Sequence, residues 1–417
     1  MNFHRDFFMI SFRLLNSFFL LALSRQENDD CLMYLAPSRI PNGGRGIIAG
    51  VVIGNEEVVD VAPSIPVLNS LLGDSQLHHY VFDSWEQGIS MVVLGPTMIF
   101  NHGDQRNVQI KFNNIETSWK YHLHTELSST LHVDMNHETT RPLLPGEEML
   151  TSYGGAPWFK IRNISFDRTI KPELYELEEL KKVGHCITDI YVALSSLPLA
   201  SRGLFGRVKF RAGDLVSISP VLALSKSHWL KWKRNAIVMN YCFSSPNSDL
   251  LLLPIGIAAM ANHGGKARAN LRVDWYIWDN AQEEHYNNMN KSVGELQAMK
   301  QSPFSLGYYA LRDIEENEEL YLDYGEDWER DWGLYLEDLQ HWRVAQRPYK
   351  HHGPPAFRHF INAPDYLYSS KWSDGTNGDS QACVVEGTGE LEGRNGEDAD
   401  LTDAMTAYAQ MQQARLV

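Results

Sequence analysis

The stretch GYYALRDIEENEELYLDYGEDW, residues 307–328, decides how the rest of this 417-residue chain is read. Aromatic residues lead into a charged turn around Asp313–Asn317. The triplet Leu320-Tyr321-Leu322 then reads as a short strand that stops at Asp323-Tyr324-Gly325. Asn317 lies in this turn, and asparagine is among the few residues besides glycine that tolerate a positive φ.

Two upstream stretches belong with it. LLPIGIAAMANHGGKARANLRVDW (252–275) carries Asn262-His263 followed by Asn270, and SRGLFGRVKFRAGDLVSISP (201–220) opens with Arg202-Gly203-Leu204-Phe205. In this order the three segments resemble the SET-domain protein lysine methyltransferases. The C-terminal motif of that family reads A-x-x-x-I-x-x-G-E-E-L-x-x-x-Y-G. Ala310, Ile314, Glu318, Glu319, Leu320, Tyr324 and Gly325 hold their places in it, with Asn317 in place of the usual glycine.

The three motifs occur twice. Residues 31–63 match 186–220, pairing Arg45-Gly46 with Arg202-Gly203 and Cys31 with Cys186. Asn101-His102 pairs with Asn262-His263, Tyr153-Gly154 with Tyr324-Gly325, and Trp158 with Trp328. The offset grows from 157 to 161 to 171 residues, as unequal loops between matched strands would produce. Two units of this size predict a tandem duplication and exclude a solenoid array. The expected architecture is mainly β with flanking helices (α+β). It consists of a SET-like unit over 31–158, a helical linker over 159–185 with Leu174, Leu177 and Leu180 on one face, and a second unit over 186–333. A C-terminal helix with a Pro/His-rich loop (334–368) and an acidic, Gly-rich tail (369–417), expected to be disordered, complete it.

The resemblance implies two curled β-sheet domains in which a pseudoknot-like C-terminal segment threads under a loop. It also implies methyl transfer from S-adenosyl-L-methionine to a lysine nitrogen of a protein or peptide. Tyr324 and Tyr153 match the active-site tyrosine, whose hydroxyl points at the transferred methyl. Arg202, Gly203, Leu204 and Phe205, with Arg45 and Gly46, match the loop holding the methionine part of the cofactor. Asn262-His263 and Asn101-His102 match the pair contacting its adenine and amino-acid groups. Tyr321 and Tyr309 would line the lysine channel; strand alternation forbids Tyr308 and Tyr309 from doing so together. The second unit departs from the family at Gly264-Gly265, Ala269 and Val273. The first has Ser152 before its tyrosine and Ile48 where the second has Phe205. The second unit is therefore the expected working site, and a non-catalytic scaffold that binds protein partners is the alternative.

A net charge of −15 argues against a phosphate-gripping nucleic-acid binder and suits a basic protein substrate. The four cysteines show no C-x-C or C-x-x-C spacing, so neither a zinc ribbon nor a disulfide framework is indicated. His122, His124, His132 and His137, with Asp134 and Glu138, crowd one polar run, which reads as a solvated loop and not as a metal site. Within residues 1–30, the apolar run 14–24 after His4, Arg5 and Arg13 is too short to span a bilayer. It reads either as a secretory or targeting signal or as an ordinary amphipathic start. Asn163-Ile164-Ser165 and Asn290-Lys291-Ser292 are glycosylation triplets, a pattern that also arises by chance.

Overall fold

The computed structural model describes residues 31–344 except 74, 84–87, 113–132, 166–171, 198–199, 201, 231–236 and 246–247, together with 361–363, 367–368 and 372. The expected signal segment and nearly all of the acidic tail lie outside the described residues, as do His122, His124 and His132. Strands dominate. The first half contributes β1 (Met33–Pro37), β2 (Arg45–Ala49), β3 (Val58–Leu68), β4 (Phe82–Asp83), β5 (Ile89–Val93), β6 (Asn101–His102), β7 (Val108–Phe112), β8 (Val133–Thr139) and β9 (Leu150–Thr151). The second contributes β10 (His185–Cys186), β11 (Ile190–Leu194), β12 (Arg202–Gly206), β13 (Leu215–Ser225), β14 (Phe243–Ser244), β15 (Leu250–Pro254), β16 (Asn262–His263), β17 (Leu271–Trp275), β18 (Phe304–Ala310), β19 (Glu319–Leu322) and β20 (Ile361–Asn362).

The pairings of one half reappear in the other. A five-stranded sheet ordered β4-β5-β3-β8-β7 answers β14-β15-β13-β18-β17 within a six-stranded sheet. Both long central strands carry an irregularity at the same place, between Val58 and Asp60 and between Leu215 and Ser217. The antiparallel pair β1-β2 answers β11-β12, and the parallel pair β6-β9 answers β16-β19. In the first half β2 meets the segment before β9 at the bridge Ile48–Glu148, with the Met149 amide on the Ile47 carbonyl and the Ala49 amide on that of Glu147. There the second half pairs Leu204 and Phe205 with β19.

The central strands are buried on both faces, which is why they read as apolar runs instead of alternating ones. Leu250, Leu251, Leu252 and Leu253 of β15 are all inaccessible, and ten of the eleven residues of β13 are buried. Burying one such leucine contributes about 2 kcal/mol. One core runs through both halves, joining Leu35, Ile65 and Val92 to Leu222, Leu252 and Leu306. A second, small cluster of Cys31, Tyr34, Ala36, Ile48, Tyr175 and Leu180 lies under the helix Leu177–Val183.

Four features differ from the sequence reading. The linker helix is only seven residues long. Tyr175 ahead of it is fixed in extended chain by its amide on the Gly146 carbonyl (2.9 Å) and its hydroxyl on that of Pro37 (2.6 Å), so Leu174 is left exposed. Cys31 and Cys186 form a disulfide, against the expectation of none. Strand register makes Tyr34 the counterpart of Tyr191, so Cys31 answers Thr188, not Cys186. Cys186 lies instead on β10, an extra strand added to the free edge of β1, which sets it opposite Tyr34. His137, Asp134 and Glu138 belong to β8 and not to a solvated loop; His137 is fully buried. Beyond the long helix Glu326–Val344, β20 pairs in parallel with β14. Trp372, inside the expected tail, is also fully buried, its indole N–H donating to the Lys291 carbonyl at 3.0 Å.

Candidate functional site

The parallel pair β16-β19 brings together segments nearly sixty residues apart, with Asn262 beside Tyr321 and His263 beside Leu322. Asn262 Nδ2 donates to the Arg202 carbonyl at 2.7 Å and approaches Ser195 Oγ (3.2 Å) and Glu319 Oε1 (3.4 Å). That one amide therefore joins all three motif segments. Gly203 is required here. A Cβ on it would lie 2.1 Å from Glu319 Oε1, so no side chain fits between β12 and the carboxylate. Asn270, fully buried, stitches the next layer: its Oδ1 accepts from the Tyr321 amide (2.7 Å) and its Nδ2 donates to the Glu319 carbonyl (2.9 Å).

Glu319 turns inward and is buried. Burial pushes its carboxyl up, but the Ser195 hydroxyl (2.6 Å), the Ser196 amide (2.7 Å) and the Tyr321 hydroxyl (2.7 Å) outweigh it and hold the group below the usual carboxylate range. Glu318 faces outward, closing its own turn through the Glu315 amide (3.0 Å) and pairing with Arg312 (2.5 Å). Asn317 has the positive φ expected of it, 63°.

His263 sets the position of the tyrosine. Its Nδ1 accepts from the Tyr324 amide at 2.9 Å, which leaves the proton on Nε2, 3.7 Å from Glu329. Burial pushes this imidazole down from its ordinary value, partly offset by Glu329 and Asp323. Gly325, at φ 94°, completes the turn with its amide on Asp323 Oδ1 at 3.0 Å. Thus fixed, the Tyr324 hydroxyl donates to the Ala261 carbonyl at 2.5 Å. Burial drives the phenol far above its ordinary value, and Tyr241 and Tyr308 lie close enough to add to the shift. A phenol held this way is a fixed hydrogen-bond donor with free lone pairs and is no general base. Trp328, on the helix that follows, sets its ring edge-on to Tyr324 at 4.7 Å and stacks on Trp332 at 5.8 Å.

The first half repeats the frame. Asn101 Nδ2 donates to the Arg45 carbonyl (2.9 Å) and Glu148 Oε1 (2.8 Å), and a Cβ on Gly46 would lie 2.3 Å from that oxygen. Asn107 plays the part of Asn270. The Tyr153 amide donates to His102 Nδ1 (3.0 Å), its hydroxyl donates to the Phe100 carbonyl (2.7 Å), and Trp158 lies 4.6 Å from its ring.

The expected site residues therefore fall into two matched clusters. Leu204 is fully buried behind the motif, and Phe205 stacks on Tyr191 at 5.7 Å. Tyr321 forms a wall of the cluster, its hydroxyl held by Glu319 and Ser196. Tyr309 is not brought in. It lies half-buried on the other face of β18 with the Arg272 guanidinium over its ring at 4.7 Å, while fully buried Tyr308 faces the Tyr324 side. Sequence reasoning named Tyr308 only as the alternative to Tyr309, and it missed Tyr241 and the inward turn of the glutamates. The repeated Glu-Glu pair was their signal, but it reads as a turn.

A comparison with known families meets this same region. Residues 201–325 match the SET domain. The SET segment thus starts at the Arg-Gly motif and ends at Tyr324-Gly325. Among solved structures, a putative histone methyltransferase of Plasmodium falciparum is 19% identical, the match covering 31% of this chain and 97% of that one at a TM-score of 0.24. The Chaetomium thermophilum polycomb repressive complex 2 is 16% identical over 33% of this chain and 15% of that one, TM-score 0.24. A ctPRC2 structure in an autoinhibited conformation bound to S-adenosylmethionine is 15% identical over 37% and 17%, TM-score 0.24. The match thus spans about a sixth of those polycomb chains. No curated protein matches the chain. Among the described residues no group of His, Cys, Asp and Glu could hold a metal ion, and no helix is long and apolar enough to cross a membrane.

Proposed function

We propose that this protein transfers a methyl group from S-adenosylmethionine to a lysine side chain of a protein substrate, that it is built of two tandem SET-like units with pseudoknot-type C-terminal segments, and that the second unit works. The observation carrying this reading is the convergence, inside the SET segment, of Arg202-Gly203, Asn262-His263 and Tyr324 through the Asn262 amide and the His263 ring.

The residues present suit the cofactor. The Arg202 guanidinium is taken by Asp134, so the motif would meet the cofactor through its backbone, which Asn262 fixes and which Gly203 leaves uncovered. The Tyr308 hydroxyl is fully buried close to Tyr324 and interacts with that of Ser219, which lines the Tyr324 side with neutral polar groups. When bound, S-adenosylmethionine supplies an electrophilic methyl group. The chain's own part is to align and to exclude water. Tyr324, its proton on Ala261, offers lone pairs that can hold a methyl group by weak C–H···O contacts. Trp328 and Trp332 shield the turn from solvent, and Tyr321 closes the wall on the Glu319 side. Arg45, Gly46, Asn101, His102 and Tyr153 form the corresponding frame of the first unit, which we read as a non-catalytic partner. Its Tyr153 donates to the Phe100 carbonyl, and the Phe100 ring lies edge-on, at 6.0 Å, to His137 of a filled polar cluster, Asp60-Thr97-His137.

Calorimetry with S-adenosylmethionine, paired with radiolabel transfer to core histones and a lysine-peptide library, tests the proposal. One binding site and labelled product are expected; absence of both sinks it. The Cys31–Cys186 bond also favours an oxidising compartment for the chain, testable by trapping free thiols in freshly lysed cells. Trapping of Cys31 and Cys186 themselves, located by peptide mapping, would contradict it.

A further inference from the structure

Each half sends the arginine of its motif into the other. Arg202, at the start of β12, places Nη2 2.5 Å from Oδ2 of Asp134, on β8 of the first half. The other carboxylate oxygen, Oδ1, is buried without a hydrogen-bond partner, so the acid's contact is with this guanidinium. In the reverse direction Arg45, at the start of β2, sets its guanidinium over the ring of Trp278 at 4.2 Å. Trp278 is buried, and its indole N–H donates to Ser305 Oγ at 3.2 Å.

Strand register makes the two arrangements equivalent. Asp134 stands opposite Pro63 in the β3-β8 ladder, and Ser305 stands opposite Pro220 in the β13-β18 ladder. One position of the repeat therefore holds the other half's arginine, directly through a carboxylate in one case and through an intervening indole in the other.

Arg202 is tied at three points. Its amide donates to the Ala200 carbonyl (2.6 Å), its own carbonyl accepts from Asn262, and its side chain is anchored on Asp134. Gly203, next in line, sits so close to the Glu319 carboxylate that an added Cβ would lie 2.1 Å from its Oε1. A displaced guanidinium therefore moves the backbone on which the Asn262 contact depends. We propose that Asp134 is a positioning residue for the second unit's cofactor motif, so that the first unit completes the working site. This rests on the methyltransferase reading of that site.

The test uses the full chain with Asp134→Asn, which keeps the shape and removes the charge, and the exchange pair Asp134→Arg/Arg202→Asp. S-adenosylmethionine affinity is read by calorimetry, turnover at saturating cofactor by label transfer, and the 202–206 amides by hydrogen exchange. Asp134→Asn is expected to weaken cofactor binding about ten-fold, as removal of one partner of a half-buried charge pair does, and to speed exchange at 202–206. Turnover at saturation should stay within about two-fold, and the exchange pair should restore most of the affinity. A merely structural role would lower the melting temperature without this split. Wild-type affinity together with unchanged exchange at 202–206 overturns the proposal. If the wild-type chain binds no cofactor, the methyltransferase reading fails, and the exchange data alone decide whether Asp134 positions the motif.

Discussion

The two halves share a hydrogen-bond frame and differ in what is packed behind its tyrosine. In the first half Asp60, Thr97 and His137 form a buried chain, with Thr97 Oγ1 2.8 Å from both Asp60 Oδ2 and His137 Nδ1. The second half has Ser217, Ala258 and Tyr308 at the matching positions, and no ionisable acid or imidazole among them. The inward glutamates differ in the same sense. Glu148 is pushed above its ordinary value by burial, since its Asn101 and Ser38 contacts do not outweigh that effect. Glu319 is held below its ordinary value because donors from Ser195 and Ser196, joined by the phenol of Tyr321, whose counterpart is Leu150, together outweigh its burial. The same frame thus supports a charged, donor-rich site in one half and a filled, desolvated one in the other.

The largest expected effect follows from that contrast. Tyr324→Phe removes the donor to the Ala261 carbonyl and should cut label transfer by about 100-fold or more, the scale of loss from misplacing a reacting group. Cofactor binding should change little. Tyr153→Phe, the same change in the other frame, should leave transfer within about three-fold. Equal losses from both would make the halves functionally equivalent and break the comparison.

Much of this frame was legible in the sequence. Asn262-His263, Arg202-Gly203 and Tyr324-Gly325 meet as their motifs implied, and the positive φ at Asn317 followed from turn chemistry. The rest was hidden for physical reasons. Glu318 and Glu319 are adjacent and chemically identical, and only the strand's pleat sends one outward and the other in. Tyr308 and Tyr309 pose the same ambiguity of parity, and β18 resolves it against Tyr309. The contact between Cys31 and Cys186 depends on where β10 docks, which spacing does not encode.

That disulfide is the next way to sharpen the comparison, because it belongs to the first half's edge and has no counterpart at Thr188. It closes a loop of 155 residues, for which chain entropy predicts at most about 5 kcal/mol and typical bonds give about 2–4. Cys31→Ser or reduction should therefore lower the melting temperature by several degrees. Proteolysis should then cut the 172–186 region first, since Tyr175 and Leu180 share a small cluster with Cys31. If both halves instead loosen together, the bond acts on the whole chain and not on one edge.

The smallest effect separates the halves by pH. Burial lifts Asp60 to about 7 and lowers His137 to about 3. An acid whose folded value is raised contributes stability that is fully present below its unfolded value near 4 and is lost as pH climbs through 7. A histidine whose folded value is depressed contributes stability present above about 6.5 and lost as pH falls toward 3. The two slopes oppose each other between about pH 4 and 6.5, so the wild-type contribution there should be nearly flat. Asp60→Asn removes one slope and leaves the other. Stability should then rise with pH across that window by at most about 1.4 kcal/mol per unit, the ceiling for one proton. Urea unfolding at three values in the window reads the slope directly. Tyr308→Phe, at the matching position of the second half, should leave the profile parallel to wild type, because no group it contacts changes charge there. Parallel profiles for wild type and Asp60→Asn would mean that the first half's cluster does not hold its acid and imidazole in opposed states, and the contrast behind the two tyrosines would lose its electrostatic basis.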